Sequence, residues 1–497
     1  MSDTKTAVVI GAGVAGMAVA TRLALQGFSV QVYERNPSPG GKLTMFEKDG
    51  YRFDAGPSLF TQPQNLEKLF ADAGESLQTY LSYQRLPVSC KYFFENGKVI
   101  TAYDDKEKFS EEIETVAGEP AANLERYLSA SRQLYDRIGH IFLNYPLNKW
   151  KTWWSKKVLH ALPAIQYAYL FRSLYAYNSR QFKTPELQQV FNRFATYNGS
   201  NPFKAPAMLS LIPHLEMNQG VFYPKGGMIS ITHALYALAL KKGVQFHFDT
   251  AVQRVIHTEG IAKGIVVNNE NRYANVVVSN MDMYYTWKNL IGRTDQANRL
   301  ARQERSSSAL VFYWGINKRF EQLDLHNIFF SSNYREEFEH IFHKKGIYAD
   351  PTIYVNITAG YDTGHAPAGR ENWFVMINVP SVSGDWPAWQ QELRQSVIAK
   401  LNRLLQVDME SLIESETILN PALIQDQTAS FMGALYGNSS NTKMAAFKRP
   451  ANSDDLRNLY CCGGTVHPGG GIPLCLKSAA ITASLIAADQ EKYRHRH

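Results

Sequence analysis

The chain has 497 residues, 45% of them hydrophobic and 20% charged, an ordinary globular balance that allows roughly two to three lobes around a sizeable core. Its 52 basic and 45 acidic residues leave a net charge of +7, a mild excess with no recognition motif beside it, so nucleic acid is not an expected partner. Four cysteines, Cys90, Cys461, Cys462 and Cys475, are too few for a disulfide framework and lack metal-ligand spacing; they read as buried thiols in a reducing compartment, and no metal is expected.

The chain enters an apolar run almost at once. Val8, Val9 and Ile10 suit a buried parallel strand, so this start is expected to be a fold element and not a signal peptide. Gly11, Gly13 and Gly16 follow at the G-x-G-x-x-G spacing. Gly11 permits the tight turn out of the strand, Gly13 lets the backbone approach a pyrophosphate, and Gly16 lets the helix pack closely on the sheet. A helix expected over 14–26 turns its free amides toward the phosphates. The next strand, 29–33, carries Glu34 at its carboxyl end, 18 residues after Gly16, the separation expected of an acid on a ribose diol. Strand, glycine turn, helix, second strand and acid together predict a dinucleotide-binding unit.

Arg35 and the turn Gly40-Gly41-Lys42 put cations and a second glycine pair close to the phosphate site, an extension typical of flavin enzymes rather than nicotinamide dehydrogenases. Leu43 opens an alternating stretch, 43–47, that turns at Lys48-Asp49-Gly50 and returns over 51–54, a hairpin signature. The hairpin delivers Asp54-Ala55-Gly56-Pro57-Ser58, a loop that either lies at the cofactor or only connects to the next helix.

Residues 65–220 read as mostly helical, with a good helix over 121–140. Between Phe142 and Tyr177, Trp150, Trp153, Trp154, Tyr167, Tyr169, Phe171, Tyr175 and Tyr177 interleave with Lys149, Lys151, Lys156, Lys157 and Arg172. That mixture suits either a surface at lipid headgroups or a solvated basic face over an aromatic-rich lobe. No uninterrupted apolar stretch reaches the ~18–20 residues of a membrane span. Tyr223-Pro224-Lys225-Gly226-Gly227-Met228 is a glycine turn into a helix that ends at Lys241-Lys242-Gly243. Strands follow at 244–248, 251–257, 261–267 and 273–279, then a mixed region over 290–430 with strands at 308–315 and 373–379.

Near the carboxyl end, a strand at 458–462 runs into Gly463-Gly464-Thr465-Val466-His467-Pro468-Gly469-Gly470-Gly471-Ile472-Pro473 and then a helix over 474–488. So many glycines stabilise a loop poorly but bring bare backbone amides against a flat ligand. The helix start can stabilise negative charge on a reduced flavin ring. His467 is either catalytic or fixed by the loop around Pro468.

Taken together, the 11–34 unit, Gly40-Gly41-Lys42, Phe53-Asp54-Ala55-Gly56-Pro57-Ser58, Pro224-Lys225-Gly226-Gly227 and His467-Pro468-Gly469-Gly470-Gly471-Ile472-Pro473 resemble the bacterial phytoene desaturase family over essentially the whole chain. Within it, Gly-Gly-Thr-Val-His-Pro-Gly-Gly-Gly-Ile-Pro-Leu is similar to the branch of 1-hydroxycarotenoid 3,4-desaturases. Lys42, where arginine is commoner, keeps the cation but loses its planar fork.

The resemblance implies an α/β fold: a Rossmann-like FAD-binding domain of the flavin amine oxidase type (1–70, 222–288 and 445–497). It also implies a discontinuous α+β substrate domain with a helical, membrane-associating region (71–221 and 289–444). FAD is the implied cofactor. Gly13, Val14, Ala15 and Gly16 are expected at the pyrophosphate, Glu34 at the ribose, Lys42 at the phosphates with Arg35 and Gly41 close by, Val252 at the adenine edge, and Gly464, Gly471 and Ile472 at the flavin end. Gly11, Leu43, Gly56, Pro57, Ser58 and Pro473 are further expected cofactor-binding residues. His214 and Glu216 are the candidate catalytic residues, each with a structural role as the alternative.

The implied activity is desaturation of a carotenoid by hydride transfer to flavin and proton loss, with quinone or oxygen as electron acceptor. The expected place is the cytoplasm, peripheral to the inner face of the cell membrane. Phytoene or lycopene-forming desaturation is the nearest alternative. An amine or protoporphyrinogen oxidase, a flavin-dependent cyclase and a non-enzymatic prenyl-lipid carrier share parts of the signature.

Overall fold

The computed structural model describes residues 5–139, 143, 145, 169, 172–442 and 445–494. It is organised on a five-stranded parallel sheet in the order Leu459–Cys461, Val276–Ser279, Thr6–Ile10, Ser29–Tyr33, Gln245–His247. These strands come from three distant parts of the chain, and their apolar runs are buried on both faces, as a parallel sheet requires. Ala7, Val9, Val30 and Val32 face a core closed by the helices Val14–Leu25, Ile229–Lys241 and Ile472–Arg494. Val8, Ile10 and Val277 face a smaller core under an antiparallel meander, Val252–Thr258, Ile261–Val267 and Glu270–Tyr273.

Close approach of helix and strand is set by the third glycine of the motif. A Cβ on Gly16 would lie 2.0 Å from the Gly11 carbonyl oxygen, which no side chain tolerates. The hairpin forms as expected, Thr44–Lys48 against Tyr51–Ala55, with Asp49 and Gly50 both at positive φ. Leu77 and Leu81, beyond the boundary at residue 70 expected from the sequence, also pack into the nucleotide core.

A second, seven-stranded sheet has the order Ile413–Leu419, Ser308–Ile316, Glu371–Val379, Ile353–Ile357, His326–Phe329, Val88–Phe93, Val99–Tyr103. Its pairs are antiparallel except His326–Phe329 with Val88–Phe93. Strand Ser308–Ile316 is buried throughout, and its alternation divides two environments. Leu310, Phe312, Trp314 and Ile316 pack under the long helix Trp386–Leu405, whereas Ala309, Val311 and Tyr313 form part of the wall of an internal cavity.

Three expectations are refined. The described part of 65–220 is mostly helical, as expected, but Val88–Phe93 and Val99–Tyr103 form a hairpin within it, turning through Gly97 at φ +81°, that completes the large sheet. The helix expected over 121–140 is Ala121–Leu134 followed by a wider turn, Tyr135–Gly139. The strand expected over 273–279 is two elements: Glu270–Tyr273 ends the meander and Val276–Ser279 enters the parallel sheet. The switch occurs because Val276 to Val278 are apolar on both faces while Glu270 to Tyr273 are exposed.

Trp150, Trp153, Trp154, Tyr167, Phe171 and Lys149, Lys151, Lys156 and Lys157 lie outside the described residues. Tyr169 and Tyr177, from the same stretch, are buried against each other in a helical core, so these two rings are not surface groups. Among the described residues, one helix, Ile472–Lys492, is long and apolar enough by composition to cross a membrane; half of it is buried in this fold, against helix Val14–Leu25 among others.

Candidate active site

A single cavity of about 1030 Å³ runs from the glycine turns of the parallel sheet to the inner face of the large sheet. That is at the upper end of the roughly 300–1,000 Å³ of small-molecule sites, room for more than one ligand. At its nucleotide end, helix Val14–Leu25 starts at Gly13 with no side-chain cap, which leaves its first amides for an anion. Gly11, at φ +97°, makes the turn, and Gly13, Val14 and Ala15 line the cavity; Gly16 sits behind them as a packing residue and does not line it.

Glu34 is buried at the end of Ser29–Tyr33, where its Oε2 accepts from the Ala12 amide at 2.7 Å and its Oε1 from the Asn36 amide at 3.0 Å. These bonds fix a carboxylate edge in the wall, as a diol-binding acid requires. Val252 lines the same end. Arg35 contributes to the wall while its guanidinium donates to the Asp426 carbonyl.

The second glycine turn closes on the first. The Gly40 amide donates to the Ala12 carbonyl at 3.0 Å, and a Cβ on Gly41 would sit 3.3 Å from the Gly13 Cα. Lys42 and Leu43 follow in the wall. The Lys42 amine donates to the carbonyls of Leu435 at 3.0 Å and Ala434 at 3.4 Å, and burial pushes its pKa down. It braces two loops across the cavity.

Gly56, Pro57 and Ser58 line the cavity next. Gly56 has φ +142°, and a Cβ there would lie 1.8 Å from the Lys42 carbonyl oxygen. Asp54 does not reach the wall; it accepts from the amides of Met228 at 2.8 Å and Ile229 at 3.3 Å and so anchors helix Ile229–Lys241. The carboxyl-terminal loop supplies Gly464, Gly470, Gly471, Ile472 and Pro473, with Gly471 at φ +101° and open space where its Cβ would be. Helix Ile472–Arg494 begins at the cavity, its positive end toward the ligand space.

His467 is buried, its pKa pushed down to about 4 by desolvation, and its Nε2 lies 2.9 Å from the Tyr145 carbonyl. Its own carbonyl accepts from Asn452 at 2.9 Å, and the His467–Pro468 peptide is cis. The ring lines the cavity, but the loop geometry accounts for its place.

The catalytic candidates separate. His214 is absent from the cavity wall: Asn218 and Gln219 hold its two ring nitrogens at 3.0 and 3.2 Å, and Tyr135 packs on the ring. That corrects its expected role, since a ring spent on its own turn touches no reactant. Glu216 does line the cavity, but its oxygens are engaged by Arg193 at 3.1 Å and by the Tyr197 hydroxyl. It is one half of a buried ion pair and not a free base.

Sequence reasoning missed several wall residues. Asn280 follows strand Val276–Ser279 and sits among the glycines, its Nδ2 2.9 Å from where a Cβ on Gly13 or Gly16 would be. Its place at the carboxyl end of a strand beside the first one was the available signal. Arg449 donates to the carbonyls of Tyr436, Gly464 and Asn438 at 2.9, 3.3 and 3.0 Å; burial pushes its pKa down to about 10. His326 and Tyr354, from the large sheet, line the wall beside Ser58, whose hydroxyl lies 2.8 Å from that of Tyr354, and carried no local signature.

The cradle fits FAD: two glycine turns in contact, an uncapped helix start, an anchored acid, and at the other end a loop whose glycines leave room for a flat ring. Such a fold and site define a flavoprotein oxidoreductase. The chain matches the flavin containing amine oxidoreductase family over residues 14–487, and it belongs to that family. It is 44% identical over 97% of its length to the 1-hydroxycarotenoid 3,4-desaturase of Flavobacterium sp. (strain P99-3), of which it covers 99%. It is 33% identical over 98% of its length to the 4,4'-diapolycopene oxygenase of Methylomonas sp., covering 99% of that protein. An oxidoreductase structure from Methanosarcina mazei superposes with a TM-score of 0.65 at 16% identity, covering 97% of this chain and 100% of the other, which speaks to the fold alone.

Proposed function

We propose that this protein is an FAD-dependent carotenoid desaturase that introduces a carbon–carbon double bond into a long polyene, at the 3,4 position of a 1-hydroxylated carotenoid. The observation that carries the reading is the single cavity that joins the dinucleotide cradle to an apolar wall of Val311, Phe374, Met376, Ile328 and Phe338. The 44% identity to the Flavobacterium protein supports the choice of bond and substrate.

Bound FAD supplies a hydride acceptor. The chain lays the pigment along the inner face of the large sheet, excludes water from the reacting carbons and aligns the bond to be oxidised. Loss of a hydride from one carbon leaves an allylic cation whose neighbour sheds a proton readily, so a weak acceptor suffices. A water-insoluble substrate supports a peripheral position at the inner face of the cell membrane, and a quinone or oxygen is the proposed electron acceptor.

Expression in hosts that accumulate phytoene, lycopene or a 1-hydroxylated carotenoid tests this. The hydroxylated pigment is expected to lose two hydrogens. Conversion of phytoene alone moves the assignment to the runner-up, a gain of oxygen moves it toward the activity of the Methylomonas relative, and a protein that never acquires a flavin spectrum overturns it.

A further inference from the structure

The wall that faces the large sheet carries polar groups among its apolar ones, and two of them, His326 and Arg193, hold buried nitrogens with no partner among the described residues. His326, 3% exposed on strand His326–Phe329, has Nδ1 2.7 Å from the Tyr354 hydroxyl and 3.2 Å from the Asn356 amide nitrogen, while its Nε2 has no partner among the described residues. Asn356 Nδ2 also donates to the Leu325 carbonyl at 2.9 Å, which identifies that end of the amide as the donor. A ring nitrogen facing an amide N–H must accept, so in the neutral ring the proton sits on Nε2. Burial keeps the ring neutral, with a pKa pushed down to about 3.

Arg193 belongs to the same wall and is 9% exposed. Its Nη2 donates to the Tyr92 hydroxyl at 3.0 Å and to Glu216 at 3.1 Å, whereas its Nε has no partner among the described residues. Tyr92 pairs in register with Ile328, two residues along from His326, and the Arg193 charge is felt at the imidazole. Two residues of one cavity wall therefore carry buried donors with no acceptor among the described residues, where native interiors leave few such groups.

We propose that His326 Nε2–H, seconded by Arg193 Nε–H, receives the hydroxyl oxygen of the substrate and selects hydroxylated over unhydroxylated carotenoids. This rests on the desaturase reading. In a 3,4-desaturation of a 1-hydroxylated pigment the hydroxyl carbon is two bonds from the nearer reacting carbon, so its seat must lie beside the cofactor and not at the far end of the chain's tunnel. The hydrogen-bonded series Ser58, Tyr354, His326 meets that demand, since Ser58 ends the Gly56–Ser58 segment at the cofactor end of the cavity.

The test compares a 1-hydroxylated acyclic carotenoid with its counterpart lacking the hydroxyl, both in liposomes, on the flavin-loaded protein. Turnover gives the ratio of kcat/KM, and pigment retained on immobilised protein gives the ratio of affinities. The wild type is expected to prefer the hydroxylated pigment by at least ~10-fold. His326→Phe should cut both ratios by roughly 10-fold or more, and His326→Gln, which keeps a donor, should retain part of the preference. Equal loss on both pigments in His326→Phe, or an unchanged ratio in His326→Gln together with His326→Phe, overturns the assignment. A wild type that converts both pigments equally also overturns it while leaving the desaturase reading intact; a wild type that converts neither removes that reading itself.

Discussion

At the residue scale, the cofactor cradle depends on glycines for two separable reasons, backbone sign and space. Gly56 combines both, with φ +142° and a carbonyl oxygen 1.8 Å from a would-be Cβ, whereas Gly74 has φ +71° and nothing within 4 Å. Gly74→Ala should therefore cost about 1 kcal/mol, and Gly56→Ala at least ~1–3 kcal/mol together with most of the bound flavin. Flavin absorbance per protein and Tm measure both; wild-type flavin content in Gly56→Ala would refute the close-packing argument. Histidines set a pH dependence. His326, His365 and His467 are held neutral by burial, with pKa values pushed down to about 3, 4 and 4 from 6.5. The unfolded chain binds more protons than the native one between those values and 6.5, so stability is full above 6.5 and falls as pH drops through that window. Each contributes a slope of up to ~1.4 kcal/mol per pH unit. Urea unfolding at pH 7 and pH 5 should show the loss, and His467→Asn should flatten it; an equal slope in that variant would exclude His467 as a source.

At the element scale, strand Ser308–Ile316 separates a structural core from a binding surface by its two-residue period. Trp314, fully buried under helix Trp386–Leu405, should cost ~3–5 kcal/mol on truncation to Ala. Its neighbour Tyr313 faces the cavity, and its buried hydroxyl has no partner among the described residues. Tyr313→Phe should accordingly leave Tm unchanged or raised, since it removes an unpaired polar group. Thermal melts of the two variants check the sidedness, and a destabilised Tyr313→Phe would mean that the hydroxyl has an unseen role. A two-residue period is expected of any strand, but which face meets core and which meets ligand is not readable from this one, because every position is buried and the large side chains occur on both faces.

At the scale of the whole molecule, the proposed membrane attachment rests on the lipid solubility of the substrate and on the cations of 149–172. Flotation with anionic vesicles at low salt is expected, weakening as ionic strength shortens the Debye length from ~10 Å at 0.1 M to ~3 Å at 1 M. Failure to float at low salt would remove the peripheral-membrane reading.

The parts of the molecule that local rules govern were legible in the sequence. Glycine spacing is dictated by turn and phosphate geometry, so Gly11 to Glu34, Gly40-Gly41-Lys42 and the 463–473 loop could be read one after another, and with them the cofactor. Helix starts and the Asp49-Gly50 hairpin follow from short-range backbone preference in the same way. What joins distant segments was not. The Val88–Phe93 and Val99–Tyr103 hairpin is weakly patterned and is stabilised by pairing with His326–Phe329. His214 and Glu216 looked alike as titratable groups, yet one is spent on its own turn and the other on Arg193. His326 bore no motif at all. Tertiary structure alone decides such residues, because what a buried polar group can do depends on which partners the fold brings to it and which it leaves unpaired.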